Sequence, residues 1–183
     1  MTLIMYAAVS IDGIAALDSK TGIERYGSPE DREFFLAGAK SCQAVIMGKN
    51  TGSFRVFGVP NFVLTHDPDL LQAHDPAGAA ASQVQDSRGV ERVYLCGQPQ
   101  EICANLEARG IHKAALLGGP ATNLQFLRAG LVDEIYLTVE PVTIGRGIRF
   151  LNEPLESRWT LADSQVLNER GTIVLHYKKH CAD

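Results

Sequence analysis

Two glycines and a proline, Gly118-Gly119-Pro120, lie between a short apolar run at 114–117 and a segment carrying Leu124, Phe126, Leu127 and Leu131 at helical spacing. A glycine turn that leads from a strand into a helix presents free backbone N–H groups at the positive end of the helix dipole, which suits phosphate or another anion. Pro120 fits the first helical position, where its missing N–H would have been unpaired anyway. By themselves these residues serve equally well as a tight turn without a ligand. No Gly-Lys-Ser/Thr follows them and no G-x-G-x-x-G includes them, which rules out the two common phosphate-binding fingerprints. A second glycine turn, Gly48-Lys49-Asn50-Thr51, ends the apolar run at 44–47 and adds an ammonium and a hydroxyl suited to an anion. Thr65-His66 and Gly97 end two further apolar runs. Asp31 stands three residues after Ser28, the spacing of a helix capping box.

The elements that must position these residues alternate along the chain. Residues 3–9 read as a first strand, left through the turn Ser10-Ile11-Asp12-Gly13, and residues 14–27 read as a long loop. Ser28-Pro29-Glu30-Asp31 announces a helix: serine caps it, proline takes the first position, and acids occupy the first turn. Strands follow at 44–47, 61–65 and 93–96, and a helix at 99–109 is stopped by Gly110. Residues 75–88, rich in Ala, Ser, Gln and Gly, fit either a frayed helix or a surface loop. The strand at 114–117, the helix after Pro120 and a strand at 135–139 form the next unit. Residues 159–166 and 172–177 alternate as two strands joined at Asn168-Glu169-Arg170-Gly171.

Such alternation predicts an α/β fold with a mainly parallel central sheet, helices on both faces and a C-terminal antiparallel hairpin. In open parallel sheets ligands bind beyond the carboxyl ends of the strands. Gly48–Thr51, Thr65-His66, Gly97 and Gly118-Gly119 all fall at such ends, so the spacing predicts one rim that takes a large, phosphate-bearing ligand.

Composition sets the outer limits. With 183 residues, 45% hydrophobic and 21% charged, the chain is expected to form one ordinary globular domain over residues 1–183. A formal net charge of −4 speaks against a nucleic-acid binder. No stretch reaches the roughly 18 apolar residues that span a bilayer, so no membrane partner is expected. The N-terminus reads as a strand rather than a signal peptide. Cys42, Cys96, Cys103 and Cys181 make no C-x-x-C pair, consistent with reduced thiols in a cytoplasm. The histidines His66, His74, His112, His176 and His180 form no metal-binding pattern, so no metal is expected.

Read together, these segments resemble the dihydrofolate reductase-like fold, in particular the reductase domain of bacterial riboflavin biosynthesis and its stand-alone relatives. The resemblance rests on Ser10-Ile11-Asp12-Gly13, Val45-Ile46-Met47-Gly48-Lys49-Asn50-Thr51, Phe62-Val63-Leu64-Thr65, Leu116-Leu117-Gly118-Gly119-Pro120 and Leu131-Val132-Asp133-Glu134. Pro141, followed by Gly145-Arg146-Gly147-Ile148-Arg149-Phe150, completes it.

The resemblance implies an NADPH-dependent reductase of a pterin-, ribosylaminopyrimidine- or related heterocyclic substrate. By that analogy Gly48, Lys49, Asn50 and Thr51 contact the phosphates and adenosine side of the cofactor. Leu64, Thr65 and His66 lie near its 2′-phosphate, Gly97 shares their rim, and Gly118, Gly119, Pro120, Ala121 and Thr122 cradle the pyrophosphate. The backbones of Ala8 and Ile14 would hold the nicotinamide carboxamide. Asp31 matches the folate-pocket carboxylate of dihydrofolate reductases and Thr138 its hydroxyl partner. Such a carboxylate would bond the heterocycle and assist its protonation. Asp31 as a plain helix-capping residue stays open beside that role. A homodimer is implied, with a strand of the terminal hairpin as a natural contact. The chain also departs from the pattern. Leu117 stands where riboflavin reductases typically carry glutamate, no arginine-rich loop follows Thr51 beyond Arg55, and the zinc signature of a deaminase half does not occur. A nucleotide-binding module of the same fold without efficient catalysis is therefore the alternative.

Overall fold

The computed structural model describes residues 1–18, 21, 26–51, 54–72 and 81–180. Its centre is β1 (Thr2–Ser10), whose side chains alternate between two apolar faces: Leu3 and Met5 point to one, Ile4 and Tyr6 to the other. The chain then forms β2 (Ile14–Ala16), α1 (Pro29–Lys40), β3 (Ala44–Gly48), β4 (Asn61–Leu64), α2 (Pro68–Gln72) and β5 (Ala81–Gln85). It continues through β6 (Glu91–Leu95), α3 (Pro99–Ala108), β7 (Lys113–Gly118), α4 (Pro120–Arg128) and β8 (Glu134–Glu140). Last come β9 (Ile148–Arg149), β10 (Trp159–Val166) and β11 (Ile173–Lys179).

Nine strands make one sheet in the order β10-β11-β8-β1-β7-β3-β4-β6-β5. The six strands from β8 to β6 run parallel, while β5 on one side and β11 on the other run against them, and β10 pairs antiparallel with β11. The expected architecture is thus observed, with an antiparallel strand on both flanks rather than one. β5 falls in the segment 75–88 that sequence left between helix and loop; residues 75–80 of it lie outside the described residues. The loop read over 14–27 contains β2, which pairs with β9 to form a separate two-stranded sheet. Strands of three and two residues are too short to show a period.

The two core faces explain the helices. Ile102, Cys103 and Leu106 of α3, with Phe126 and Leu127 of α4, pack on Leu3, Met5, Ile46, Phe62 and Leu116. Ala39 of α1, flanked by Phe34, Phe35 and Leu36, packs on Ile4, Tyr6, Val45 and Met47. α1 approaches closely because Gly38 lies against the Tyr6 ring, where a Cβ would come within 2.3 Å of the phenol oxygen. Among the described residues no helix is long and apolar enough to cross a membrane.

Candidate active site

β1 and β7 are hydrogen-bonded only from Thr2 to Met5 on β1, whereas β1 and β8 stay paired to Ser10↔Glu140. Beyond Met5 the β1–β7 pairing does not continue, and the strand order puts the crevice expected of such a sheet at the carboxyl ends of these two strands. The connections reinforce it: β1 leads through α1 to β3 on one side, and β7 leads through α4 to β8 on the other. A sheet whose neighbouring strands diverge in this way offers a crevice there.

The rim beside this cleft is built from the glycine turns. Gly118 and Gly119 have φ of +23° and +116°, the second as N-cap of α4 without a side-chain cap. A Cβ on Gly48 would lie 2.5 Å from Thr122 Oγ1, and one on Gly119 would lie 3.2 Å from Thr51 Oγ1. The turn at 48–51 and the turn at 118–122 thus meet with glycine backbone on one side and threonine hydroxyls on the other. This is a cradle that side chains would fill. Asn123 closes its floor: its Oδ1 is buried, has no hydrogen-bond partner among the described residues and sits over Gly118, 1.8 Å from where a Cβ would be.

The outer rim is more committed than sequence suggested. Lys49 Nζ bonds Asp67 Oδ2 at 2.5 Å, and this bond, first among the causes, holds the Asp67 carboxyl below its ordinary range. Thr65 is buried, with Oγ1 accepting the Asp67 N–H at 3.0 Å. His66 is exposed and its Nδ1 lies 3.2 Å from Cys96 Sγ. Gly97 has φ of +152°, its Cα facing Glu101 of the α3 capping box. Arg55, the partial candidate for a phosphate grip, is ion-paired with Asp86.

On the other side of the cleft, Asp31 and Thr138 come together. Asp31 is buried in the first turn of α1, and the buried Thr138 side chain lies near enough to its carboxyl to favour the charged form. Burial, above all, pushes the Asp31 carboxyl above the ordinary range; the charge of Glu140 adds to this and Thr138 opposes it. The capping reading is also realised, since Ser28 Oγ accepts the Asp31 N–H at 3.2 Å. Ala8 pairs with Thr138 across β1 and β8. The Ile14 N–H is engaged within its own turn, donating to Ser10 Oγ at 3.0 Å.

Several residues enter the site without having been anticipated. Asp12 accepts Ser10 Oγ at 2.7 Å, Gly145 N at 2.7 Å and Ile144 N at 3.1 Å, which ties the turn after β1 to the loop that holds Gly145 and Gly147. These bonds, Ser10 first, lower its carboxyl to about 2. Arg149 Nη1 lies 3.4 Å from the Asp12 carbonyl, so it braces the same turn. Glu140 is 2% exposed. Its spacing of two from Thr138 puts both on one face of β8, a signal present in the sequence but one that also describes any solvated strand end. Among the described residues no group of three or more His, Cys, Asp or Glu is placed to hold a metal ion.

No curated protein matches the sequence. Solved structures do. A Shewanella sp. PV-4 protein provisionally assigned to riboflavin biosynthesis superposes with TM-score 0.75 at 21% identity, covering 99% of this chain and 100% of that one. A pyrimidine reductase-like protein from Corynebacterium diphtheriae gives 0.73 at 19% identity, with coverage of 99% and 92%. A Thermotoga maritima diaminohydroxyphosphoribosylaminopyrimidine deaminase/5-amino-6-(5-phosphoribosylamino)uracil reductase gives 0.74 at 13% identity; 98% of this chain is covered, but only 56% of that one. At these identities the likeness is one of fold. The sequence itself carries the assignment: the family model of the RibD C-terminal domain matches residues 1–173, and the chain belongs to that family.

Proposed function

We propose that this chain is an NADPH-dependent reductase of a pyrimidine- or pterin-type heterocycle. The reading is supported above all by one juxtaposition: a glycine cradle at 48–51 and 118–122 at the ends of β3 and β7, and a buried carboxyl, Asp31, beside the buried Thr138 of β8. The cradle fits a pyrophosphate. Backbone N–H groups at the start of α4 meet an anion, the threonine hydroxyls of Thr51 and Thr122 add donors, and the glycines allow close approach. Lys49 and His66 lie where a 2′-phosphate would be met, and Lys49 would exchange its Asp67 partner for that phosphate. The edge of β1 at Ala8, beyond its pairing with β7, offers backbone groups for a carboxamide.

When bound, a dihydronicotinamide supplies the hydride. The residues of this chain bind, orient and manage the proton. Asp31 hydrogen-bonds the heterocycle and transfers its O–H proton to a ring nitrogen as the adjacent carbon is reduced; solvent then restores the proton to the carboxylate. Thr138, beside that carboxyl, favours its charged form against burial.

Turnover tests the reading. NADPH oxidation, followed by absorbance, is screened against dihydropterins and ribosylaminopyrimidines. Consumption that requires one of these, and falls with Asp31→Asn, is the expected result. NADPH binding without any turnover favours the alternative, a nucleotide-binding module, for which Leu117 in the apolar contacts of the α1 face is the favouring observation. A homodimer belongs to the same reading. β10 is an outer strand that exposes Leu161 at 51% and Val166 at 63%, a surface a second copy would cover. Leu161→Lys is expected to yield a monomer by sedimentation; an unchanged sedimentation coefficient would remove this contact.

A further inference from the structure

Lys49 follows the cradle glycine Gly48 directly, and the pairing of Gly48 with Leu64 across β3 and β4 brings it beside the turn Thr65-His66-Asp67. There Asp67 takes the cation. Its Oδ2 accepts from Lys49 Nζ at 2.5 Å, with the lysine side chain 54% exposed and the aspartate 28%. The aspartate is not a loose partner. It stands immediately before α2, where its Oδ1 accepts the Asp69 N–H at 3.1 Å and its carbonyl oxygen the Leu71 N–H at 3.2 Å. Its own N–H donates to the buried Thr65 Oγ1 at 3.0 Å. One carboxylate oxygen thus caps a helix start, while the other faces the rim and holds the lysine. The Lys49 bond, first among the causes, keeps the Asp67 carboxyl below its ordinary range, so it is anionic at neutral pH.

We propose that Asp67 is a specificity-determining residue: a carboxylate fixed at the start of α2 that occupies Lys49 and so restrains the binding of a 2′-phosphorylated dinucleotide relative to its unphosphorylated form. This rests on the reductase reading, which puts the 2′-phosphate at Lys49 and His66. The internal carboxylate competes with that phosphate for the same ammonium. A solvent-exposed ion pair is weak enough to yield to a phosphate dianion, so the site stays usable. The cost falls on the phosphorylated cofactor alone. Lys49 must leave Asp67, and Asp67 then stands as a like charge beside the phosphate. A ribose with a free 2′-hydroxyl makes neither demand and leaves the pair intact.

Calorimetry with NADPH and with NADH on the full chain, native and Asp67→Asn, reads the claim as a ratio of affinities. Asparagine keeps the cap acceptor and removes the charge. NADPH affinity is expected to rise about fivefold to twentyfold, from release of the ion pair and of the like-charge repulsion, while NADH affinity stays as it was. Equal gains for both nucleotides, or no gain, overturn the proposal and leave the reductase reading standing. Should the asparagine variant not fold, Asp67→Ser, which also caps, gives the same comparison with the same outcomes. Binding of neither nucleotide by folded native and variant chains strikes the reductase reading, and this proposal with it.

Carbon-13 NMR of the aspartate carboxyls tests the pair without any cofactor. The Asp67 resonance is identified by its loss in Asp67→Asn. In the native protein it is expected to titrate below the ordinary aspartate range, and in Lys49→Ala to move up toward it. A midpoint unmoved in folded Lys49→Ala overturns the proposal whichever nucleotide binds.

Discussion

Gly118→Ala puts the meeting of the glycine turns to a quantitative test. Two separable costs arise. The backbone at φ of +23° lies outside the regions open to an L side chain, a penalty of about 1–2 kcal/mol. The new methyl would also lie 1.8 Å from Asn123 Oδ1 and 2.7 Å from its Cγ, and overpacking of this kind costs about 1–3 kcal/mol. The sum, about 2–5 kcal/mol, lowers the urea midpoint by roughly 1–2 M for an m-value of about 2.5 kcal/mol/M. The Asn123→Ala background divides the two. It removes the overlapping amide, whose buried Oδ1 has no partner among the described residues, so there Gly118→Ala should cost only the backbone part. A coupling of about 1–3 kcal/mol between the substitutions is therefore expected from four urea curves. A cost for Gly118→Ala below about 1 kcal/mol would refute the strained turn. A cost unchanged by Asn123→Ala would refute the contact that shapes the cradle floor.

Other perturbations follow from the same geometry. Asp31 is raised on folding, so the folded chain binds the extra proton: its contribution to stability is full below the ordinary carboxylate pKa and is lost as pH rises through the folded value. Asp31→Asn should accordingly be more stable than the native chain at neutral pH, with the difference closing as the pH is lowered through the carboxylate range, while turnover falls about 10²–10⁴-fold. Equal urea midpoints at neutral pH would contradict the buried acid. Asp12 shows the opposite sign. Lowered from 3.8 to about 2, it supports the fold above pH 3.8, and that support disappears as pH falls toward 2. Asp12→Asn should flatten the acid limb of the stability profile and speed amide exchange at Ile144 and Gly145, whose N–H groups it accepts; unchanged exchange at both would refute the brace.

Much of this architecture was legible because it is local. Ser28-Pro29-Glu30-Asp31 specifies a helix start through a cap, a fixed φ and favourable acids, and α1 begins there with Ser28 as cap. Gly118-Gly119-Pro120 marks the passage from β7 to α4 for the same kind of reason. What escaped was short or distant. β5, Ala-Ser-Gln-Val-Gln, is an outer strand that β6 pairs with, and its own residues carry little strand signal. Glu140 takes its donors from Ser28 and Thr172, 112 and 32 residues away, a closure that no window of sequence contains. The basic rim illustrates the same limit: Lys49 reads as a free cation, but Asp67 folds back onto it.

Binding of NADPH is the most direct test of the cleft as a cofactor site. Calorimetric titration of the folded chain with NADPH and with NADH, alongside His66→Ala, should give micromolar NADPH binding, weaker NADH binding, and a loss of that preference in the variant. Absence of binding by either nucleotide, with the protein shown to be folded, would contradict the reductase reading and leave the glycine rim as turns alone.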